Sequence, residues 1–137
     1  MSTKKMFSNV AIVLSLIVSI YYFSSCSKGA VVDKIIEKTA EVANKSCPMA
    51  LDSQTRLDSV THPAPYTLGY FMTLLNIQKD SLTVQPDAVE AKLVQVVKTN
   101  PQLEALRKLN VFFNYVYFDK NGDLAFKIVI TPDQYNK

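Results

Sequence analysis

The sequence is poor in the residues from which nucleotide and metal sites are built. Its 137 residues include three glycines, two cysteines, one histidine and no tryptophan. Gly29, Gly69 and Gly122 lie far apart, which excludes a glycine-rich phosphate-binding loop. A metal centre needs several histidine, cysteine or acidic side chains close together. The sequence therefore predicts neither a cofactor nor a metal site.

The first part of the chain has the pattern of an export signal. Two lysines precede an apolar run over residues 10–23, which is followed by two serines and Cys26. A basic region, an apolar stretch and small residues before a cleavage point are typical of a secretory signal peptide. As a helix the run would span only about 21 Å, whereas the hydrocarbon core of a bilayer is about 30 Å thick. We therefore expect residues 1–25 to be cleaved, with an uncleaved membrane span and simple secretion as the alternatives.

The segment around Cys26 resembles a lipidation motif. Phe23-Ser24-Ser25-Cys26 is similar to the lipobox of bacterial lipoproteins, in the loose form found in Bacteroidota. The resemblance implies that Cys26 carries acyl chains, which anchor a protein stably when there is more than one, and that residues 26–30 are a tether. It also implies a cell-envelope location, with the domain facing the periplasm or the exterior. Residues 44–49, 52–58 and 66–74 are similar to small envelope proteins of unknown function, which implies no activity.

The chain that follows the signal peptide is almost neutral. Loss of Lys4 and Lys5 with the signal peptide leaves 13 basic residues against the 12 acidic ones, a formal net charge of +1. Nucleic-acid-binding domains carry a strongly positive surface, so we expect no nucleic acid partner. The remaining 112 residues are enough for one domain with its own core.

Helical and strand patterns alternate along this domain. Apolar residues spaced three and four apart predict helices over residues 31–45 and 86–99. Aromatic and β-branched runs predict strands over residues 55–61, 66–77, 111–118 and 124–131, and the prolines predict a loop over residues 62–65. The order α-β-β-α-β-β predicts a two-layer α+β domain over residues 31–137. In it, two helices pack against an antiparallel sheet of about four strands.

The last two predicted strands flank a tight turn. Asn121-Gly122 between two β-rich runs is a strong hairpin pattern and predicts a type I′ turn with Gly122 at positive φ. Asp119, Asn121 and Asp123 are also spaced like the first ligands of a calcium loop, but no glutamate follows at the required position. The pattern therefore favours a turn over a cation site.

The aromatic strands offer a candidate binding surface. Strand alternation places Tyr115 and Tyr117 on one face of the sheet, where Tyr70 could join them. Tyrosine is enriched at interfaces, so these three residues and Arg56 are candidates for a partner or ligand surface. The alternatives are tyrosines packed in the core with their hydroxyls at the rim, and an ion pair between Arg56 and Asp58.

Cys47 is the one candidate nucleophile in the domain. It follows a predicted helix C-terminus, where a thiolate is not stabilised, so a buried, inert cysteine is favoured over a Cys47–His62 dyad. We therefore expect a non-catalytic interaction or binding module, tethered to the membrane, with an envelope protein as a possible partner. The alternatives are a thiol-dependent enzyme that uses Cys47 and a single-span structural accessory protein.

Overall fold

The computed structural model describes residues 28–81 and 85–137. The predicted signal peptide and Cys26 lie outside these ranges. A helix, α1, occupies residues 28–44, where the apolar spacing predicts one over residues 31–45, so it includes residues 28–30 of the predicted tether. The other elements are β1 (Met49–Ala50), β2 (Thr55–Ala64), β3 (Thr67–Leu74), α2 (Pro86–Thr99), α3 (Glu104–Lys108), β4 (Phe112–Phe118), β5 (Leu124–Ile130) and α4 (Pro132–Tyr135), with 3-10 turns at Lys79–Ser81 and Pro101–Leu103.

The five strands form one sheet in which they lie in sequence order. Neighbouring strands are antiparallel except β3 and β4, which are parallel. The chain between β3 and β4 passes through α2 and α3, and such a helical crossover allows adjacent strands to run in the same direction. The α+β class is confirmed, and the expected antiparallel sheet of about four strands is matched only roughly, because the sheet has five strands and one parallel pair. Strand patterns in a sequence show that a strand exists and do not show the direction of its neighbour.

Two further features differ from the sequence prediction. β2 continues through His62 and Pro63 to Ala64, where the sequence predicts a loop. Its pairing with β3 is irregular between Thr61 and Ala64, and such an irregularity accommodates a proline, which cannot donate a backbone hydrogen bond. The short elements β1 and α4 are not predicted, because two and four residues are too few to show a period.

The helices cover one face of the sheet and enclose the core there. Fully buried residues come from α1, from the crossover between β3 and β4, and from the sheet. These three parts of the fold therefore pack continuously against one another. The most buried members of this core are Ile36, Val60, Leu68, Val97, Val111, Phe113 and Ile130.

Polar side chains fasten α1 to the β2–β3 region. The Asn44 carboxamide donates from Nδ2 to the Val60 carbonyl at 2.7 Å and accepts from the Val60 N–H at 2.7 Å. β1 pairs with β2 at only two residues, so Asn44 takes the place of a neighbouring strand further along the same edge. Nearer the start of the helix, Asp33 accepts from the Tyr66 N–H at 2.8 Å and lies 3.1 Å from His62 Nε2.

The β4–β5 turn is organised by a buried carboxylate. Asp119 Oδ1 accepts from the N–H groups of Asn121 at 2.7 Å and Asp123 at 3.0 Å, and Oδ2 accepts from the Lys79 N–H at 3.1 Å. Within the turn only Gly122 has positive φ, at +88°. A type I′ turn needs positive φ at two central residues, so that expectation is wrong, whereas positive φ at Gly122 is confirmed.

Candidate interaction surface

The face of the sheet opposite the helices is covered by no element of residues 28–81 and 85–137. We call it the bare face. Strand pairing assigns to it Arg56, Ser59, Thr61 and Ala64 of β2; Thr67, Gly69, Phe71 and Thr73 of β3; Phe112, Asn114, Val116 and Phe118 of β4; and Leu124, Lys127 and Val129 of β5. Asp58 and Pro63 of β2 join it through their contacts with Thr73 and Gly69.

Much of the bare face is apolar and reaches solvent. Phe112, Leu124 and Val129 are 39%, 50% and 41% exposed. Phe71 and Phe118 stack beside them on adjacent strands, with ring centroids 6.3 Å apart. A group of exposed apolar side chains on one surface is typical of an interaction site, whereas the same residues scattered singly would carry no such meaning.

A hollow lies at the end of the bare face where β2 ends and β3 and β4 begin. It has a volume of about 310 Å³, and its walls include Pro63, Ala64, Phe112, Asn114, Lys127 and Val129. The Asn114 side chain is only 8% exposed, and its Oδ1 has no hydrogen-bond partner among the described residues. A buried polar atom without a partner costs free energy, so the hollow contains an unsatisfied polar group within apolar walls.

Gly69 gives the hollow its shape. It lies beside Asn114 in the sheet, and a Cβ at this position would come within 3.0 Å of Thr61 Oγ1 and 3.2 Å of Pro63 Cγ. The absence of a side chain therefore allows β2 to fold closely over β3. Thr61 Oγ1 is the second buried polar atom that finds no partner within the described part of the chain.

The charged groups of the bare face differ in their pairing. Asp58 accepts from Arg56 Nε at 2.6 Å through Oδ1 and from Thr73 Oγ1 at 2.6 Å through Oδ2. This arrangement is the ion pair that the sequence suggests for Arg56. Lys127, in contrast, forms no ion pair with any residue that the structure describes.

The three candidate tyrosines lie on the opposite, helix-covered face. Tyr70 and Tyr115 stack with centroids 5.0 Å apart, and Tyr117 stacks on Phe126 at 4.5 Å. Burial raises the pKa of Tyr70 to about 12. It also raises the pKa values of Tyr115 and Tyr117, with smaller contributions from neighbouring tyrosines and from Asp52 respectively. Tyr115 and Tyr117 are thus core residues, and the structure does not bring the tyrosines together with Arg56.

Cys47 and His62 are held by other groups. Cys47 is a free, partly buried thiol whose Sγ lies 3.5 Å from the Ala43 carbonyl. Burial, and to a lesser extent the charge of Asp58, raises the pKa of Cys47, which lowers its thiolate fraction. His62 contacts Asp33 and is not placed to act as a base for this thiol.

Metal-binding clusters and membrane-spanning helices are both absent from residues 28–81 and 85–137. No group of three or more His, Cys, Asp or Glu side chains is arranged to hold a metal ion there. The Asp119 carboxylate is occupied by backbone N–H groups, which lower its pKa. None of the helices in these two ranges has the length and apolarity needed to cross a membrane.

Sequence reasoning missed the residues that line the hollow. Alternation along β4 correctly separates Tyr115 and Tyr117 from Phe112, Val116 and Phe118. Both sets are apolar, so the alternation cannot show which face the helices cover. The available indication was Asn114, the one amide within the run of aromatic and aliphatic residues 111–118.

Solved structures of several bacterial proteins share this fold. A candidate secreted protein from Pseudomonas aeruginosa has a TM-score of 0.70 and 16% identity, with 80% of this chain and 96% of that one covered. The type II secretion pilotin EpsS of Vibrio vulnificus has a TM-score of 0.65 and 10% identity, with coverage of 79% and 94%. The type II secretion pilotin AspS of Vibrio cholerae has a TM-score of 0.65 and 11% identity, with coverage of 81% and 98%. At such low identity the likeness concerns the fold.

Sequence comparison identifies the family without identifying an activity. No curated protein matches this chain at a significant level. The pattern of one family, the domain of unknown function DUF8479, matches residues 30–126. Those residues run from α1 into β5 and include most of the bare face, so the chain belongs to the DUF8479 family.

Proposed function

We propose that this protein is a lipid-tethered component of a bacterial envelope that binds another envelope protein through the bare face and catalyses no reaction. The observation that carries the proposal is the bare face itself. It combines exposed apolar side chains with a buried, unpaired amide oxygen at Asn114. A partner that covers this surface removes apolar area from water.

The geometry of the sheet favours a protein partner with its own secondary structure. The interior strands of the sheet already pair their backbone N–H and C=O groups with neighbouring strands. The bare face therefore offers a partner side chains and no free backbone groups. An extended peptide laid on this face would leave its own N–H and C=O groups unpaired, which is costly when they are buried. A helix or a sheet satisfies its backbone internally and can cover the bare face as a further layer of secondary structure.

The described residues give little support to a thiol-dependent enzyme. Catalytic cysteines have lowered pKa values, produced by a nearby cation, histidine or helix N-terminus. Cys47 has a raised pKa and an acidic neighbour in Asp58. The polar residues that line the hollow on the bare face are Thr67, Asn114 and Lys127, and Cys47 is not among its lining residues.

The tether rests on the sequence around Cys26, and the fold is consistent with it. The apolar leader ends at a serine-rich site before Cys26, as in an acylated lipoprotein. The structural likeness to a candidate secreted protein and to two pilotins of secretion systems supports a location among exported envelope proteins.

Lipid labelling tests the tether. The wild-type protein, expressed with a radiolabelled or alkyne fatty acid, should be labelled and should remain in the membrane fraction after a high-pH wash. The Cys26→Ser variant should lose both properties. An unlabelled wild type that still resists the wash would show a retained apolar span in place of acyl chains.

Site-specific cross-linking tests the partner surface. A photoreactive amino acid at Val129, on the bare face, should give a discrete cross-linked product in intact cells. The same residue at Val96, an equally exposed position on α2, is the matched control and should give none. Introducing Phe112→Asp should abolish the Val129 product, and a product that forms equally from both positions would refute the bare face as the binding surface.

A further inference from the structure

We propose that the hollow on the bare face binds the carboxylate of an acidic side chain of the partner, next to an apolar residue of that partner. This inference rests on the proposed function, because it names the chemistry by which the same surface recognises a protein. The hollow presents hydrogen-bond donors and a positive charge, from Asn114 and Lys127, in addition to the apolar surface around them.

The charge of the hollow is positive. Lys127 is its one ionised wall residue, and it forms no ion pair with the residues that the structure describes. The other ionised groups of the bare face, Arg56 and Asp58, neutralise each other at 2.6 Å. An incoming group therefore meets one uncompensated ammonium, which attracts a single negative charge.

The polar wall of the hollow adds a second donor. Lys127 pairs with Val116 and Val129 pairs with Asn114 on the adjacent strand, so Lys127 and Asn114 lie on neighbouring rows of one sheet face, within side-chain reach. The Asn114 carboxamide has an NH₂ group with two donors, whereas its enclosed Oδ1 is an acceptor and takes no part in binding an anion. An ammonium and a carboxamide together suit a carboxylate, which accepts hydrogen bonds at both of its oxygens.

The walls determine what can accompany the carboxylate. Pro63, Ala64, Phe112 and Val129 present apolar surface around the polar pair, and a charge pair is strengthened where such surface excludes water. One lysine among apolar groups does not suit a phosphate diester chain, for which several cations are needed. The arrangement instead suits an aspartate or glutamate that is adjacent to an apolar side chain in the partner.

The test uses the full-length, ¹⁵N-labelled protein in detergent micelles and a matched pair of small molecules. The acid is 4-methylpentanoate, which has an apolar body and a carboxylate, and its control is the neutral 4-methylpentanamide. Titration of the acid should shift the Asn114 side-chain NH₂ resonances and the Val129 amide, with an affinity at least about tenfold higher than that of the amide compound.

Two variants establish the role of charge. Lys127→Gln should lower the affinity for the acid about tenfold and leave binding of the neutral amide unchanged. Lys120→Gln, in the exposed β4–β5 turn, is the matched control and should change neither. Equal affinity for the acid and the amide, shifts that lie outside the hollow, or an unaffected Lys127→Gln variant would each overturn the inference.

The outcomes also separate this inference from the proposed function. If the acid binds in the hollow but the photoreactive residue at Val129 yields no product, the protein partner is refuted while the carboxylate site stands. If the Val129 product forms but the acid never binds, the partner surface stands and the carboxylate site is refuted.

Discussion

Replacement of Asn44 by alanine should destabilise the protein because one side chain satisfies two backbone groups of a central core residue. Val60 is 1% exposed, and its N–H and C=O both bond to the Asn44 carboxamide at 2.7 Å. Each buried backbone group left without a partner costs about 1–3 kcal/mol. Asn44 is itself exposed, so water can reach one side of the site and the lower end of that range applies to each group.

The expected loss is therefore about 2 kcal/mol of the free energy of unfolding. With a urea m-value of about 1–3 kcal/mol/M, it corresponds to a fall of about 1 M in the unfolding midpoint. Urea unfolding followed by far-UV circular dichroism measures this shift. Hydrogen exchange at the Val60 amide should accelerate in the same variant, because that amide loses its acceptor.

Two further variants make the interpretation specific. Asn44→Asp keeps an acceptor for the Val60 N–H but loses the donor to the Val60 carbonyl, so its stability should lie between those of the wild type and Asn44→Ala. Asn76→Ala, at an exposed asparagine in the turn after β3, should leave the midpoint unchanged. A midpoint of Asn44→Ala that equals the Asn76→Ala value would refute the view that the carboxamide replaces a neighbouring strand.

Three other predictions follow from single residues. Cys47 should react slowly with iodoacetamide at neutral pH in the native protein and much faster in urea, since burial raises its pKa; rapid native alkylation would contradict that burial. Gly122→Val should lose about 1–2 kcal/mol of stability, because a side chain is strained at φ +88°, and Gly122→Asn should lose less; equal urea midpoints would contradict it. Backbone N–H groups, above all that of Lys79, donate hydrogen bonds to Asp119 and lower its pKa in the folded protein. The ionised carboxylate therefore stabilises the fold above the ordinary carboxyl pKa of 3.8. This stabilisation is lost as the pH falls through the lower pKa of the folded state. Acid titration of Asp119→Asn should therefore show a shallower loss of stability than that of the wild type, and parallel curves would contradict it.

The elements that could be predicted from the sequence are those with a sustained period. α1 and α2 repeat apolar residues at helical spacing over 14 residues or more, and β4 and β5 are β-rich runs of seven residues each. The parallel pairing of β3 with β4 could not be predicted, since it depends on how the crossover packs and not on the strands. The continuation of β2 through Pro63 was missed because proline normally interrupts a ladder, and here an irregular pairing absorbs it.

The candidate tyrosines lie on the helix-covered side of the sheet, and the sequence could not show which side that would be, for a related reason. Tyr115, which is amphipathic, and Phe112, which is apolar, are both residue types that occur in cores and at interfaces. Which of them becomes buried depends on α1 and the crossover, which contact the face of Leu68 and Phe113. Asn114 was the better indicator, because an amide side chain within an aromatic strand needs hydrogen-bond partners, either inside the domain or in another molecule.

The position of Tyr135 bears on the order in which this domain can be completed. Its hydroxyl donates to the Val111 carbonyl at 2.9 Å, and its ring meets Phe113 edge-on at 5.9 Å. The third residue from the C-terminal end of this sequence thus stabilises the point at which the crossover enters β4, a strand in the interior of the sheet. The sheet can reach its final packing only once Tyr135 has docked against β4, so we expect the packing around Val111 and Phe113 to be completed late in folding.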